Sequence, residues 1–146
     1  MEIIIGSDHA GFELKNSLKD FLVGRGYNII DLGTDAEDSC DYPIFAEKVA
    51  KKVAESKGKG ILICGTGIGM SIVANKIKGI RAALGYDVES AKLSRQHNDS
   101  NILCLGARKI SEKDAYEITR IWLSTPFEGG RHQRRLDLIT KLEQSN

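Results

Sequence analysis

Residues 60–70 read GILICGTGIGM, an apolar run that delivers Cys64 directly into three glycines at alternate positions. Glycines so close together leave backbone N–H groups uncovered, and a helix start behind them adds partial positive charge, so the loop is built to hold an anion. A thiol in that setting is expected to favour its thiolate, which can act as nucleophile or general base. A lone cysteine in a strand can equally be a small core residue. Cys40 and Cys104 lack a comparable setting. The glycine spacing departs from the dinucleotide fingerprint, and the loop follows the third strand, not the first. No Lys-Ser/Thr follows the last glycine, which excludes a Walker-type loop, and Met70 stands where a cysteine phosphatase needs an arginine.

Two of the three histidines fall in polar clusters, Ser7-Asp8-His9 and Arg95-Gln96-His97-Asn98-Asp99. Both are expected near the same edge of the molecule, where imidazoles serve as acid, base or phosphate donor. Arg108 and, after the Gly-Gly break, Arg131, His132, Arg134 and Arg135 read either as a solvated charge run or, through the forked donors of the arginines, as suited to a compact phosphate ester. Arg131 and Arg135 share one helix face by their i, i+4 spacing.

These groups need a frame. Residues 2–6, 27–32, 60–64, 80–84 and 101–105 read as five strands. Helical spacing follows each: Phe12, Leu14, Leu18, Phe21 and Leu22; then Ile44, Phe45, Val49 and Val53 after Tyr42-Pro43; then the glycine loop with its helix to about Lys78. Asp87 to about Gln96 forms the next helix, Ser111 with Asp114 suggests a capping box, and Ile118, Ile121 and Trp122 give the helix behind it a core face. After Pro126 and Gly129-Gly130, residues 131–144 form a last helix with Leu136, Ile139 and Leu142 on one side. Alternating strands and helices predict a three-layer α/β/α domain with a Rossmann-like parallel sheet, one domain over residues 1–146. Ligands of such folds bind at the carboxyl ends of the strands, and loops 7–11, 64–69 and 106–108 fall there.

A net charge of +1 with 28% charged residues offers no polyanion-binding stripe, so nucleic acid is not expected as a partner. No apolar run approaches the ~20 residues of a membrane span and the first residues carry no leader pattern, so a cytoplasmic protein without membrane contact is expected. Three cysteines in unrelated contexts argue against a disulfide framework and against a zinc site of paired cysteines.

GSDHAGF near the start, DYP at 41–43, ICGTGIGMSIVANK with GIRAA behind it, SRQHNDSN, LGAR and EGGRHQRR together resemble the ribose-5-phosphate isomerase B family across nearly the whole chain. The resemblance implies interconversion of ribose 5-phosphate and ribulose 5-phosphate through a cis-enediolate, with no metal and no cofactor. It implies Cys64 as the base, since Met70 fills the place where another branch carries a glutamate. Thr66 is then the proton shuttle, the backbone N–H groups of Gly65, Gly67, Ile68 and Gly69 the enediolate cradle, and His97, helped by Asp8, the ring-opening acid. Asn98 and Tyr42 line the sugar, and His9, Arg108, Arg131 and Arg135 take the phosphate. It also implies a homodimer or dimer of dimers with shared sites, Arg108 or the terminal helix serving the neighbour and the C-terminal helix lying at the interface. Two alternatives stand beside it: a hexose 6-phosphate isomerase for allose or galactose 6-phosphate, and a non-catalytic nucleotide-binding module.

Overall fold

Five strands form one sheet in the order β2-β1-β3-β5-β4, every neighbouring pair parallel. In the computed structural model, which describes residues 1–146, they are β1 (Glu2–Ser7), β2 (Asn28–Asp31), β3 (Lys59–Cys64), β4 (Ala82–Leu84) and β5 (Ile102–Gly106). Six helices accompany them: α1 (Phe12–Gly24), α2 (Tyr42–Ser56), α3 (Ile68–Ala74), α4 (Val88–Asn98), α5 (Glu112–Ser124) and α6 (Arg131–Gln144).

The two-residue period of the strands sorts the core into two halves. Ile3, Ile5, Ile61, Ile63, Leu103 and Leu105 point to one face, against Leu18 and Leu22 of α1, Ala91 of α4 and Ala115, Ile118 and Trp122 of α5. Ile4, Leu62, Cys64, Ile102 and Cys104 point to the other, against Ala46, Val49, Ala50 and Val53 of α2 and Met70 and Ala74 of α3. Each fully buried Ile or Leu contributes about 1.5–3 kcal/mol, so the sheet is held from both faces. The three layers expected from the sequence are present.

Several boundaries differ from the sequence reading for local reasons. β4 begins at Ala82, not Ile80, and α3 ends at Ala74, short of Lys78. Between them the chain makes successive turns, Asn75 bonding Ala82 through both its amide atoms. α4 runs on to Asn98, two residues past Gln96. At its start, Asp87 accepts from the Ser90 amide while Ser90 Oγ accepts from the Asp87 amide, a capping box that the sequence reading passed over. At the start of α5 only half of the expected box forms, the Ser111 hydroxyl accepting from Asp114 N at 3.1 Å. Three residues assigned to the core are exposed: Ile44 (53%), Ile139 (46%) and Leu142 (65%). Helix α6 packs on α4 only near its start, so of its apolar stripe Leu136 alone is covered.

One buried ion pair fixes the loop after β2. Lys15 of α1 is 1% exposed, and its ammonium donates to both Asp31 oxygens at 2.8 and 2.9 Å and to Thr34 O at 2.6 Å. Burial pushes the Asp31 carboxyl up, but hydrogen bonds from Lys15, Lys19 and the Gly33 amide outweigh it and hold its pKa below the usual carboxylate value. Across this junction Ser7 N donates to Gly33 O at 2.7 Å and Thr34 N donates to Ser7 O at 2.8 Å.

Candidate active site

Parallel pairing brings three loops to one edge. Asp8 N donates to Ile63 O, Ala107 N to Cys64 O at 2.8 Å and Arg108 N to Gly65 O at 3.0 Å, so loops 7–11, 64–69 and 106–108 lie side by side at the carboxyl ends of β1, β3 and β5. This is the edge the sequence predicted for the site.

Cys64, 6% exposed, ends β3 with its thiol on the α2/α3 side. The chain then turns through Gly67, whose φ of 80° is left-handed, and its N–H comes back to donate to Cys64 Sγ at 3.1 Å. A Cβ on Gly67 would meet Leu84 Cδ1 at 2.6 Å and the Leu105 carbonyl carbon at 3.0 Å, so glycine is required on both counts. The Ile68 amide is met by Thr66 Oγ1 at 3.2 Å. The amides of Gly65, Thr66 and Gly69 meet no acceptor within the chain. The result is a run of N–H donors beside a thiol, with the start of α3 behind it. Cys104, two positions along the other core strand and fully buried, has its thiol pushed far up by burial and by the nearby Cys64 charge, so it is inert.

Two side chains flank the loop. A Cβ on Gly69 would lie 2.5 Å from the Tyr42 ring, which stands at the N-terminus of α2 against the loop. A Cβ on Gly65 would lie 3.0 Å from Arg108 Nη1, so the guanidinium covers the other side. Asp8 is buried, and its Oδ1 accepts from Gly11 N at 3.1 Å, closing the turn into α1. His9 accepts from the Cys40 amide at Nδ1, at 3.2 Å, which places the proton of the neutral ring on Nε2. Cys40 thereby has a backbone part in the site that its sequence context did not reveal.

The other predicted groups lie elsewhere. His97 and Asn98 end α4, and only Asp99, Ser100 and Asn101 separate them from Ile102, the first residue of β5. Ile102 pairs with Gly60, four residues before Cys64. At ~3.3 Å per residue, the amino edge of the sheet is about 13 Å below the thiol. Asn98 O accepts from Arg81 Nε at 2.8 Å, just ahead of β4, which anchors that helix end at the amino edge. The expectation that His9 and His97 share one edge is therefore wrong within a chain. A helix between parallel strands runs back along the sheet, so its C-terminus is carried to the opposite edge from the preceding loop. Asp8 and His97 likewise make no pair within one chain.

At that lower edge His97 joins a group of its own. Its ring stacks on His132 of α6 with centroids 4.4 Å apart and an interplanar angle of 15°. Glu128 Oε1 lies 3.7 Å from His97 Nε2 and 3.6 Å from His132 Nε2. Burial, followed by the charges of His97 and Arg131, lowers the His132 pKa. Glu128 N donates to Gln96 O at 3.1 Å and ties the loop before α6 to α4. Arg131 and Arg135 rise from the first turns of α6 beside this group, both exposed. Glu128 was not singled out from sequence, and His132 was grouped only with the neighbouring arginines; the i, i+4 spacing of the two was the available signal.

A family model described as Ribose/Galactose Isomerase matches residues 3–139. The chain belongs to the ribose/galactose isomerase family. Among the relatives, ribose-5-phosphate isomerase B of Escherichia coli is 49% identical over 144 residues, covering 98% of this chain and 97% of that protein. The structure of Clostridium thermocellum ribose-5-phosphate isomerase B superposes with a TM-score of 0.98 at 49% identity, over 99% of both chains. The Mycoplasma genitalium ribose-5-phosphate isomerase B crystallised with bound ribulose 5-phosphate has a TM-score of 0.96 at 42% identity, over 99% of this chain and 97% of that one. With that family and that fold, the chain is an isomerase of the ribose-5-phosphate isomerase B type, and the non-catalytic nucleotide-binding alternative gives way. No helix is long and apolar enough to cross a membrane.

Proposed function

We propose that the chain interconverts D-ribose 5-phosphate and D-ribulose 5-phosphate by proton transfer, with Cys64 as the base. The observation that carries this is the Gly67 N–H held 3.1 Å from Cys64 Sγ beside the uncovered amides of Gly65, Thr66 and Gly69. A base next to a preformed set of N–H donors is what removal of a proton beside a carbonyl needs. The thiolate takes the proton from C2 of the open-chain aldose, and electrons move onto the carbonyl oxygen to give a cis-enediolate. The loop amides hold that negative charge, each such donor lowering the barrier by about 3 kcal/mol. Thr66 passes a proton between O1 and O2, and Cys64 returns its proton to C1, leaving the ketose. Each step uses protein groups alone, so no metal or cofactor enters the scheme.

Ring opening and phosphate binding require the second set of groups. His97 and Asn98, with Arg131 and Arg135, are at the amino edge of the sheet, so we assign them to the site of a neighbouring copy in a homodimer or dimer of dimers. Tyr42, Asp8, His9 and Arg108 serve the loop of their own chain. His97 of the partner subunit would protonate the ring oxygen near Asp8, and its arginines would join His9 and Arg108 on the phosphate. Exposed Ile68 and Ile72 on α3 and Ile44 on α2 adjoin the loop and supply apolar surface for such a contact. A cytoplasmic role in pentose phosphate metabolism follows from this substrate.

The test is turnover on ribose 5-phosphate, allose 6-phosphate and galactose 6-phosphate, with exchange of the carbon-bound proton into deuterated water. Ribose 5-phosphate is expected to be the best substrate, and Cys64→Ala to abolish exchange while still binding phosphate. Full exchange in that variant would remove Cys64 as the base, and a clear preference for a hexose phosphate would establish the alternative substrate class.

A further inference from the structure

We propose that His97, Glu128 and His132 form a binding site for a divalent transition-metal cation of the zinc class, whose occupation switches off the isomerase. Two imidazoles and a carboxylate are a donor set such cations take in preference to magnesium or calcium. The three ligating atoms lie within 4.8 Å of one another, with Glu128 Oε1 3.7 and 3.6 Å from the two Nε2 atoms. Two ligands on one tetrahedral zinc at about 2.0–2.1 Å stand about 3.3 Å apart, so the carboxylate needs to close by only a few tenths of an ångström. The stacked rings must tilt apart so that the cation enters the plane of each. Exposed Glu128 and half-exposed His97 permit that tilt, while buried His132 supplies the fixed ligand.

The backbone prepares the set. Glu128 N on Gln96 O locks the loop to the end of α4, and His132 N on Gly129 O starts α6, so all three ligands sit on segments already joined. The solvent side of Glu128 leaves the fourth position to water. Arg131 and Arg135, on the same helix as His132, oppose a cation, and the Glu128 carboxylate offsets them in part. The site shares no residue with the glycine loop, so a metal here does not need Cys64.

The inhibitory half rests on His97 as the ring-opening acid proposed above: a metallated Nε2 cannot carry a proton. The binding half stands without it. Zn²⁺ titrated into metal-free protein by calorimetry is expected to bind once per chain, in wild type and in Cys64→Ala alike. Glu128→Gln, an exposed change, and His132→Gln should each weaken it about 100-fold or more, since loss of outer-shell partners alone costs about 10–100-fold. Co²⁺ in the same site should lack the near-ultraviolet band of thiolate ligation. In the isomerase assay, Zn²⁺ should inhibit wild type reversibly by chelator, and Glu128→Gln should need about 100-fold more of it. Unchanged affinity in both triad variants, or loss of binding in Cys64→Ala, overturns the site. Stoichiometric binding through the triad without inhibition overturns the switch. Failure of the isomerase reading would instead show as no turnover by the metal-free protein.

Discussion

If His97 serves the loop of a neighbouring chain, two inactive variants should repair each other. The perturbation is Cys64→Ala in one copy and His97→Ala in the other, co-expressed with different tags. Within a chain the two groups are kept apart by the register that pairs Gly60 with Ile102, which puts them about 13 Å apart along the sheet. In a mixed dimer related by a two-fold axis, one site collects both substitutions, and the other receives intact Cys64 with intact His97. Random pairing of equal amounts makes half the dimers mixed, each with one working site of two, so about a quarter of wild-type activity returns. The mixed dimer purified by both tags should show about half of wild-type turnover per dimer. The assay is turnover of ribose 5-phosphate, with each homodimeric variant measured alone as the baseline. Activity no greater than the sum of those baselines would refute the reasoning, because a site built within one chain leaves both sites of a mixed dimer broken.

Other consequences follow from single contacts. Gly67→Ala forces a left-handed residue, at about 1–2 kcal/mol, and drives Cβ into Leu84 and the Leu105 backbone. Overpacking adds about 1–3 kcal/mol, so the thermal midpoint should fall, and displacement of the N–H from Cys64 should lower kcat by about 100-fold. A Cβ in Gly69→Ala meets the Tyr42 ring first, and that residue is 37% exposed and free to swing out; stability should change little while KM rises. Lys15→Met leaves Asp31 half-buried with Lys19 as its remaining cation. Urea unfolding should show a loss of about 2–4 kcal/mol, below the upper end for a broken buried pair, and Asp31→Asn in the same chain should restore part of it. The folded Asp31 pKa is depressed, so its stabilisation is fully present above the ordinary carboxylate value of about 3.9 and is lost as pH falls through the lower folded value. Stability of wild type should therefore drop faster than that of Asp31→Asn on acidification below about pH 4.

The sequence alone determined the layered fold and the identity of the loop. Alternating strand and helix patterns need only local spacing, and Cys64 with Gly65, Gly67 and Gly69 lies within one six-residue stretch, so their juxtaposition needs no tertiary information. Helix α6 was legible to the residue, bounded by Gly129-Gly130 and the chain's last polar residues. The short strand β4 was read two residues too long because Ile80, a buried turn residue, imitates strand pattern. Tertiary structure decided which groups can meet. Loop 7–11 and loop 106–108 reach Cys64 because parallel register aligns the ends of β1, β3 and β5. His97, equally polar and equally close to a strand in sequence, is carried by α4 to the far edge, where it meets Glu128 and His132 instead. Residue type and local spacing name the chemistry a chain can perform; strand direction and register, set by long-range backbone pairing, determine which edge each group occupies.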